Sequence, residues 1–374
     1  MAVAKESPAT PSTFARVGLV MYLLLIVYAS LFPFTGWRDN GIAPQAFLSG
    51  PLPHYWTVFD VLTNVVGYVP FGILVAFAVY PHVRGMGAIL LALVAGTLLS
   101  GSMEAAQTFL PSRVSSILDL YTNVSGSLIG GIAGVLLTPT FLEQSRFLSL
   151  RRHWFFHDAG RGLIVASLWP LAQIYPQAYL FGHGQIVPIL SEWLSDWLEQ
   201  PVDLFTSLQN NIDFTVEQYW LAETIITACG MAGAVLLLLV TLKPAAPRAW
   251  LAWALVGATL ILKSLANALL FNPANAFSWL TPGAQGGLLF AAAMLFGLSF
   301  APQVAQRRIA VLMLLISLIV VNLMPSNPYF MATLQSWVQG KFLNFNGAAR
   351  FLSVMWPFFA FWYLLHPSHR VKRT

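Results

Sequence analysis

Residues 102–130 read SMEAAQTFLPSRVSSILDLYTNVSGSLIG. Glu104, Gln107, Arg113, Asp119 and Asn123 stand here between two strongly apolar segments, in a chain of which only 9% is charged. Taking an ionisable side chain out of water costs several kcal/mol unless it is paired or hydrogen-bonded. Polar residues at such a boundary are a functional-site hypothesis by default.

The stretch has an upstream echo. Ser116-x-x-Asp119-x-x-Thr122-Asn123-x-x-Gly126 repeats Thr57-x-x-Asp60-x-x-Thr63-Asn64-x-x-Gly67. Each copy opens with the helix-start signature Ser/Thr-x-x-Asp, in which the hydroxyl accepts from a backbone N–H of the first turn. Asp, Asn and Gly at i, i+4 and i+7 then share one helix face. Ser100, Glu104 and Gln107 share a face of the preceding helix, which Pro111 ends. The spacing predicts two facing helices that converge two Asp and two Asn. Glu104 and Gln107 would reach the same depth, with Arg113 in the loop above. Gly126, Gly130, Gly131 and Gly134 supply small-residue spacing for tight helix packing.

The rest of the chain fits a membrane setting. Its 374 residues are 57% hydrophobic and include 13 Trp, with mean hydropathy +0.69. Soluble domains are less apolar and more charged. The fold class is all-α, a polytopic integral membrane protein. A span needs about 20 mostly apolar residues. Ten segments qualify: 14–34, 60–80, 86–108, 119–138, 162–181, 220–242, 249–271, 283–300, 307–324 and 349–366. With a cytoplasmic N-terminus, 14 of the 19 Lys and Arg fall on the cytoplasmic side, as orientation by charge requires. Both termini are then cytoplasmic. The segment SLFPFT after the first span is a poor cleavage site, so that span is read as retained. The single Cys229 excludes an internal disulfide. The basic residues are dispersed between spans, so no nucleic-acid partner is expected.

Three parts follow. Residues 14–140 form a four-span bundle with the internal pseudo-repeat. Residues 141–161 form a basic cytoplasmic connector, in which Arg146, Arg151, Arg152 and Arg161 among Phe and Leu predict an interfacial helix bound to anionic lipid. Residues 162–374 form a six-span domain. There Pro170 and Pro176 interrupt the fifth span, and residues 186–200 predict an amphipathic helix on the outer interface. Lys263 is buried by position, with Glu223 as a reachable partner.

With Asp60, Asn64, Pro70, Gly72, Glu104, Gln107, Pro111, Arg113, Asp119, Asn123, Gly126 and Gly130 in this order, residues 18–140 resemble the VanZ-like family of bacterial membrane proteins. The resemblance spans roughly a third of the chain. It implies an integral membrane protein of the cell envelope. Through the family's founding member it also implies a link to resistance to teicoplanin, a glycopeptide that acts at the outer face of the membrane. It supplies no settled reaction.

Three classes of function fit these residues. In the first, Asp60, Asn64, Glu104, Gln107, Arg113, Asp119 and Asn123 form a head-group site of a binding or transport protein. Its partner would be a membrane lipid or a lipid-linked envelope precursor in the bacterial inner (cytoplasmic) membrane. Three acids against one Arg leave a formal excess of negative charge. Such a site would hold a protonated carboxylate, a cation, or a head group bound through hydrogen bonds. In the second class, an intramembrane enzyme would use Glu104 or Asp119 as general base and Arg113 to stabilise phosphate charge. No nucleophile or metal motif supports it, so it ranks lower. In the third, the cluster only holds the bundle together. No His/Cys ligand spacing accompanies the acids, so neither a metal nor a cofactor is expected.

Overall fold

The computed structural model describes residues 12–32, 34–52, 56, 58–143, 150, 153–156, 159–204, 214–325, 330 and 343–366. It is helical throughout its main elements. In chain order these are α1 (Thr13–Leu31), α2 (Val58–Val79), α3 (Met86–Gln107), α4 (Ile117–Thr138), α5 (Gly160–Ala172), α6 (Val187–Leu198), α7 (Val216–Leu239), α8 (Arg248–Leu270), α9 (Pro282–Leu298), α10 (Gln303–Leu323) and α11 (Leu343–Leu365). Among the described residues, eight of these are long and apolar enough to cross a membrane. The protein is therefore a multi-pass membrane protein. Of the ten expected spans, α9 is a shorter apolar helix and the segment 162–181 is not a single helix. The chain divides into two compact units, residues 1–151 and 152–374.

The first unit is built from α1 to α4. Its most extensive contact is between α2 and α4. These two helices run parallel: Gly126 lies on Val65, Gly130 on Val69, and Gly134 on Ile73 and Ala76. A Cβ at Gly126 or Gly130 would collide with the backbone carbonyl of Val65 or Val69. Gly72 of α2 meets the backbone of Ser127, Gly130 and Gly131 in the same way. The glycine spacing therefore does what small residues do between membrane helices, letting backbones touch. α3 covers a second side of α4, with Gly131 against Ala92 and Gly96 against Ser127. α1 closes the bundle through Ile26 and Tyr22 on Tyr68 and Phe71. The Tyr22 hydroxyl donates to the Gly67 carbonyl at 2.7 Å. α2 runs on through Pro70 as one helix.

The second unit is organised on α7, which is buried along nearly its whole length. A helix apolar on all sides belongs in a core. α9 and α10 pack along it, with Gly287 on Thr227 and Gly233 on Leu314. The expected fifth span takes another form. α5 is only 13 residues long. Its start lies by the end of α7, where Gly162 touches Thr241. Pro170 sits in its last turn, and Pro176, Gly182 and Gly184 (φ +83°) follow. None of these continues a helix readily. The chain instead proceeds as irregular backbone from Gln173 to Ile186, buried almost throughout. Phe181 lies on Gly230 in the middle of α7, and Leu180 O accepts from Thr227 Oγ1 at 3.1 Å. At the far end Asn322 of α10 accepts from the N–H groups of Ile186 and Val187 at 2.8 and 3.1 Å. It donates to Gly184 O at 2.8 Å. Non-helical backbone at membrane depth is tolerated only when wrapped in protein in this way.

α6 is the amphipathic helix expected at residues 186–200, with no buried residue and with Trp193 and Trp197 exposed. Of the basic connector, Arg146, Arg151 and Arg152 lie outside the described residues. Arg161 stacks its guanidinium 5.9 Å from the Trp362 ring centre.

The α2–α4 contact generates a sharp contrast. Gly130→Ala should destabilise the first unit by about 1–3 kcal/mol through overpacking. Gly101→Ala, whose Cβ would meet nothing within 4 Å, should be neutral or stabilise by up to about 1 kcal/mol. Thermal unfolding of the two variants in detergent measures the difference, and equal melting temperatures would refute the close packing.

Candidate functional site

The polar residues of 102–130 are placed by helix ends. Ser116 is the N-cap of α4, its Oγ accepting from Leu118 N–H at 3.1 Å. The Ser116 N–H in turn donates to Glu104 Oε2 at 2.7 Å. Glu104 is buried on α3 and thus closes the start of the next helix. At the other side, α1 ends at Leu31 and its last carbonyls have no partner within the helix. Gln107 Nε2 donates to Ser30 O at 3.0 Å. Arg113 Nη2 donates to Ala29 O and Phe32 O at 3.2 and 3.0 Å. Three residues that no local helix signature explains are therefore bound to the ends of neighbouring helices.

This changes the expected charge pattern. Among the described residues Arg113 makes no bond to Asp60, Glu104 or Asp119; its guanidinium is turned onto the carbonyls of α1. The carboxylates remain grouped. Asp119 lies close enough to both Glu104 and Asp60 for the acids to repel one another.

The pseudo-repeat converges only in part. Asn64 Nδ2 donates to Asp119 Oδ1 at 2.9 Å, joining α2 to α4. The matching bond from Asn123 to Asp60 is not formed. Asn123 Nδ2 instead donates to Ser100 Oγ on α3 at 3.0 Å, and Asp60 is exposed at the start of α2. The physical cause is α3. Its Ser100 stands beside Asn123 and takes that amide, whereas Asn64 donates across to Asp119. Thr57 and His54 lie outside the described residues. Of the seven expected site residues, Asp60, Asn64 and Asp119 gather at the shared start of α2 and α4. Glu104, Gln107, Arg113 and Asn123 brace the helices around them.

The sequence reading passed over a second polar set. Gln173 and Gln177 hold the His183 ring from its two nitrogens, and Gln177 Nε2 also donates to Ser353 Oγ at 2.6 Å. Gln173, Gln177, His183 and Ser353 are all buried. The signal was present: two Gln and a His among prolines and glycines do not suit a plain spanning helix.

The bracing bonds predict a mutational pattern. Glu104→Ala leaves the Ser116 N–H without its acceptor, and should cost about 1–3 kcal/mol. Glu104→Gln keeps an acceptor oxygen and should cost less. Arg113→Met should destabilise by a similar 1–3 kcal/mol or so, because two α1 carbonyls lose their donor. Detergent melting curves rank the three, and a Glu104→Ala protein as stable as the wild type would contradict the bracing role.

No curated protein and no solved structure matches this chain. Residues 19–138 match the family model described as VanZ/LLP1. That range takes in nearly the whole four-helix bundle and every one of the seven site residues, and over it the chain is similar to the VanZ/LLP1 family.

Proposed function

We propose that this protein is a ten-crossing component of the bacterial cytoplasmic membrane, with both termini in the cytoplasm. Its VanZ-like unit binds the polar head group of a lipid or lipid-linked envelope precursor at the outer leaflet. The observation that carries this reading is the acidic group at the start of α2 and α4. Asp60 is exposed, Asp119 is half-buried and held by Asn64, and the Arg113 guanidinium is committed to the end of α1. Asp60, Asn64 and Asp119 would contact the ligand, and Glu104, Gln107, Arg113 and Asn123 would keep the helix ends in place. A site made of carboxylate acceptors favours a head group rich in hydroxyl or ammonium donors over a bare phosphate. Occupancy of such precursors at the outer face is a route to altered teicoplanin sensitivity, in line with the VanZ-like character of the unit.

A second reading has specific support. The bonds of Glu104, Gln107 and Arg113 to helix ends are what a purely structural cluster would make. Asp60→Asn and Asp119→Asn separate the two. Under the binding reading both variants stay folded, with melting temperatures near the wild type, while teicoplanin susceptibility shifts toward that of the deletion strain. Unchanged susceptibility in folded variants would leave the cluster structural.

A further inference from the structure

The second unit holds a cavity that the VanZ-like site does not use. It lies where the irregular backbone after α5 passes α7, α8 and the start of α9. Its border includes Gln177, Glu223, Lys263, Asn267 and Trp279. The cavity is small, about 30 Å³, room for about two waters or the charged end of a head group.

Lys263 is the residue that needs explaining. It is 2% exposed, projects from the middle of α8, and has no hydrogen bond or ion pair among the described residues. Asn267, one turn on, donates to Ser278 Oγ at 3.1 Å and holds that wall in place. A buried ammonium without a partner is strongly unfavourable, and in membrane segments such a residue marks a pathway or a ligand. Glu223 is 1% exposed and borders the same space. Its carboxylate lies against Gly283 at the start of α9. Gln177 reaches the border from the irregular stretch with its Oε1 buried and without a donor. Interrupted crossings of this kind form binding sites in many transporters because their backbone lines a cavity.

We propose that this cavity binds a zwitterion carrying an oxyanion and a primary amine. The oxyanion meets the Lys263 ammonium, and the amine end faces Glu223. The aromatic wall at Trp279 accommodates the carbon chain between them. The shared chemistry occurs in an ethanolamine phospholipid head group and in a small soluble amino acid or phosphoethanolamine. One cation and one carboxylate across a small space match a ligand with one charge of each sign, and disfavour a simple anion.

The test uses the full-length protein in nanodiscs. One arm compares ethanolamine, choline and glycerol phospholipids by native mass spectrometry of the retained lipid. The other titrates glycine and phosphoethanolamine in ethanolamine-free nanodiscs and reads tryptophan fluorescence and thermal shift. Binding in the first arm only assigns a lipid, and in the second only a soluble ligand; both support the proposal. Choline, which cannot donate to Glu223, should bind about tenfold more weakly than ethanolamine, and Lys263→Met should lose about tenfold or more in affinity. Because that substitution removes an unpaired buried charge, its melting temperature should not fall. Lys263→Gln is the companion variant, with the same expected loss of binding if the site does not accept Met. No response of the wild type to any probe, equal affinity in the Lys263 variants, equal choline and ethanolamine binding, or unfolding of both variants would overturn the proposal.

Discussion

The first unit depends on how closely two helix backbones approach. Gly126, Gly130 and Gly134 remove side chains from one stripe of α4, and Gly72 removes one from α2. Membrane helices gain little from hiding apolar surface, since lipid tails are as apolar as leucine. What remains is contact between atoms, and without a Cβ at these positions the whole length of both helices can touch. The register so set places Asn64 beside Asp119. A different register would leave that carboxylate to be satisfied elsewhere.

A second constraint acts at the helix ends. Every α-helix leaves four N–H and four C=O groups without partners inside it. Near a membrane, water is not always there to take them. Glu104 serves the start of α4, while Gln107 and Arg113 serve the end of α1. Arg307 does the same on the second unit, donating to the carbonyls of Tyr363 at 2.9 Å and of Leu364 at the end of α11. A local sequence pattern reveals caps within one helix, such as Ser116. It does not reveal a cap that comes from a different helix, which is why Glu104 and Arg113 stood out as unexplained.

The sequence was most legible where one rule dominated. Hydropathy alone placed nine of the ten expected spans on single helices within a few residues, because a long apolar run has few alternatives in a membrane. It went astray at residues 162–181, where the run of apolar residues continues but two prolines, the glutamines and the glycines beyond them end the helix at Ala172. At the candidate site, the repeat correctly marked α2 and α4 as helices that pack together. The repeat implies symmetry, though, and symmetry ends where a third helix offers an acceptor to one member of the pair. Asn123 turning to Ser100 on α3 is that break, and nothing within the repeat itself encodes it.

The parallel course of α2 and α4 has an electrical consequence. Antiparallel neighbours set the positive end of one peptide dipole against the negative end of the other, and the fields largely cancel. Parallel neighbours place two positive ends side by side, each equivalent to about half an elementary charge. Asp60 and Asp119, both in a first turn, stand at that doubled end. The acids thus act as counter-charges built into the chain, and the mutual repulsion between them is set against a field that both of them neutralise.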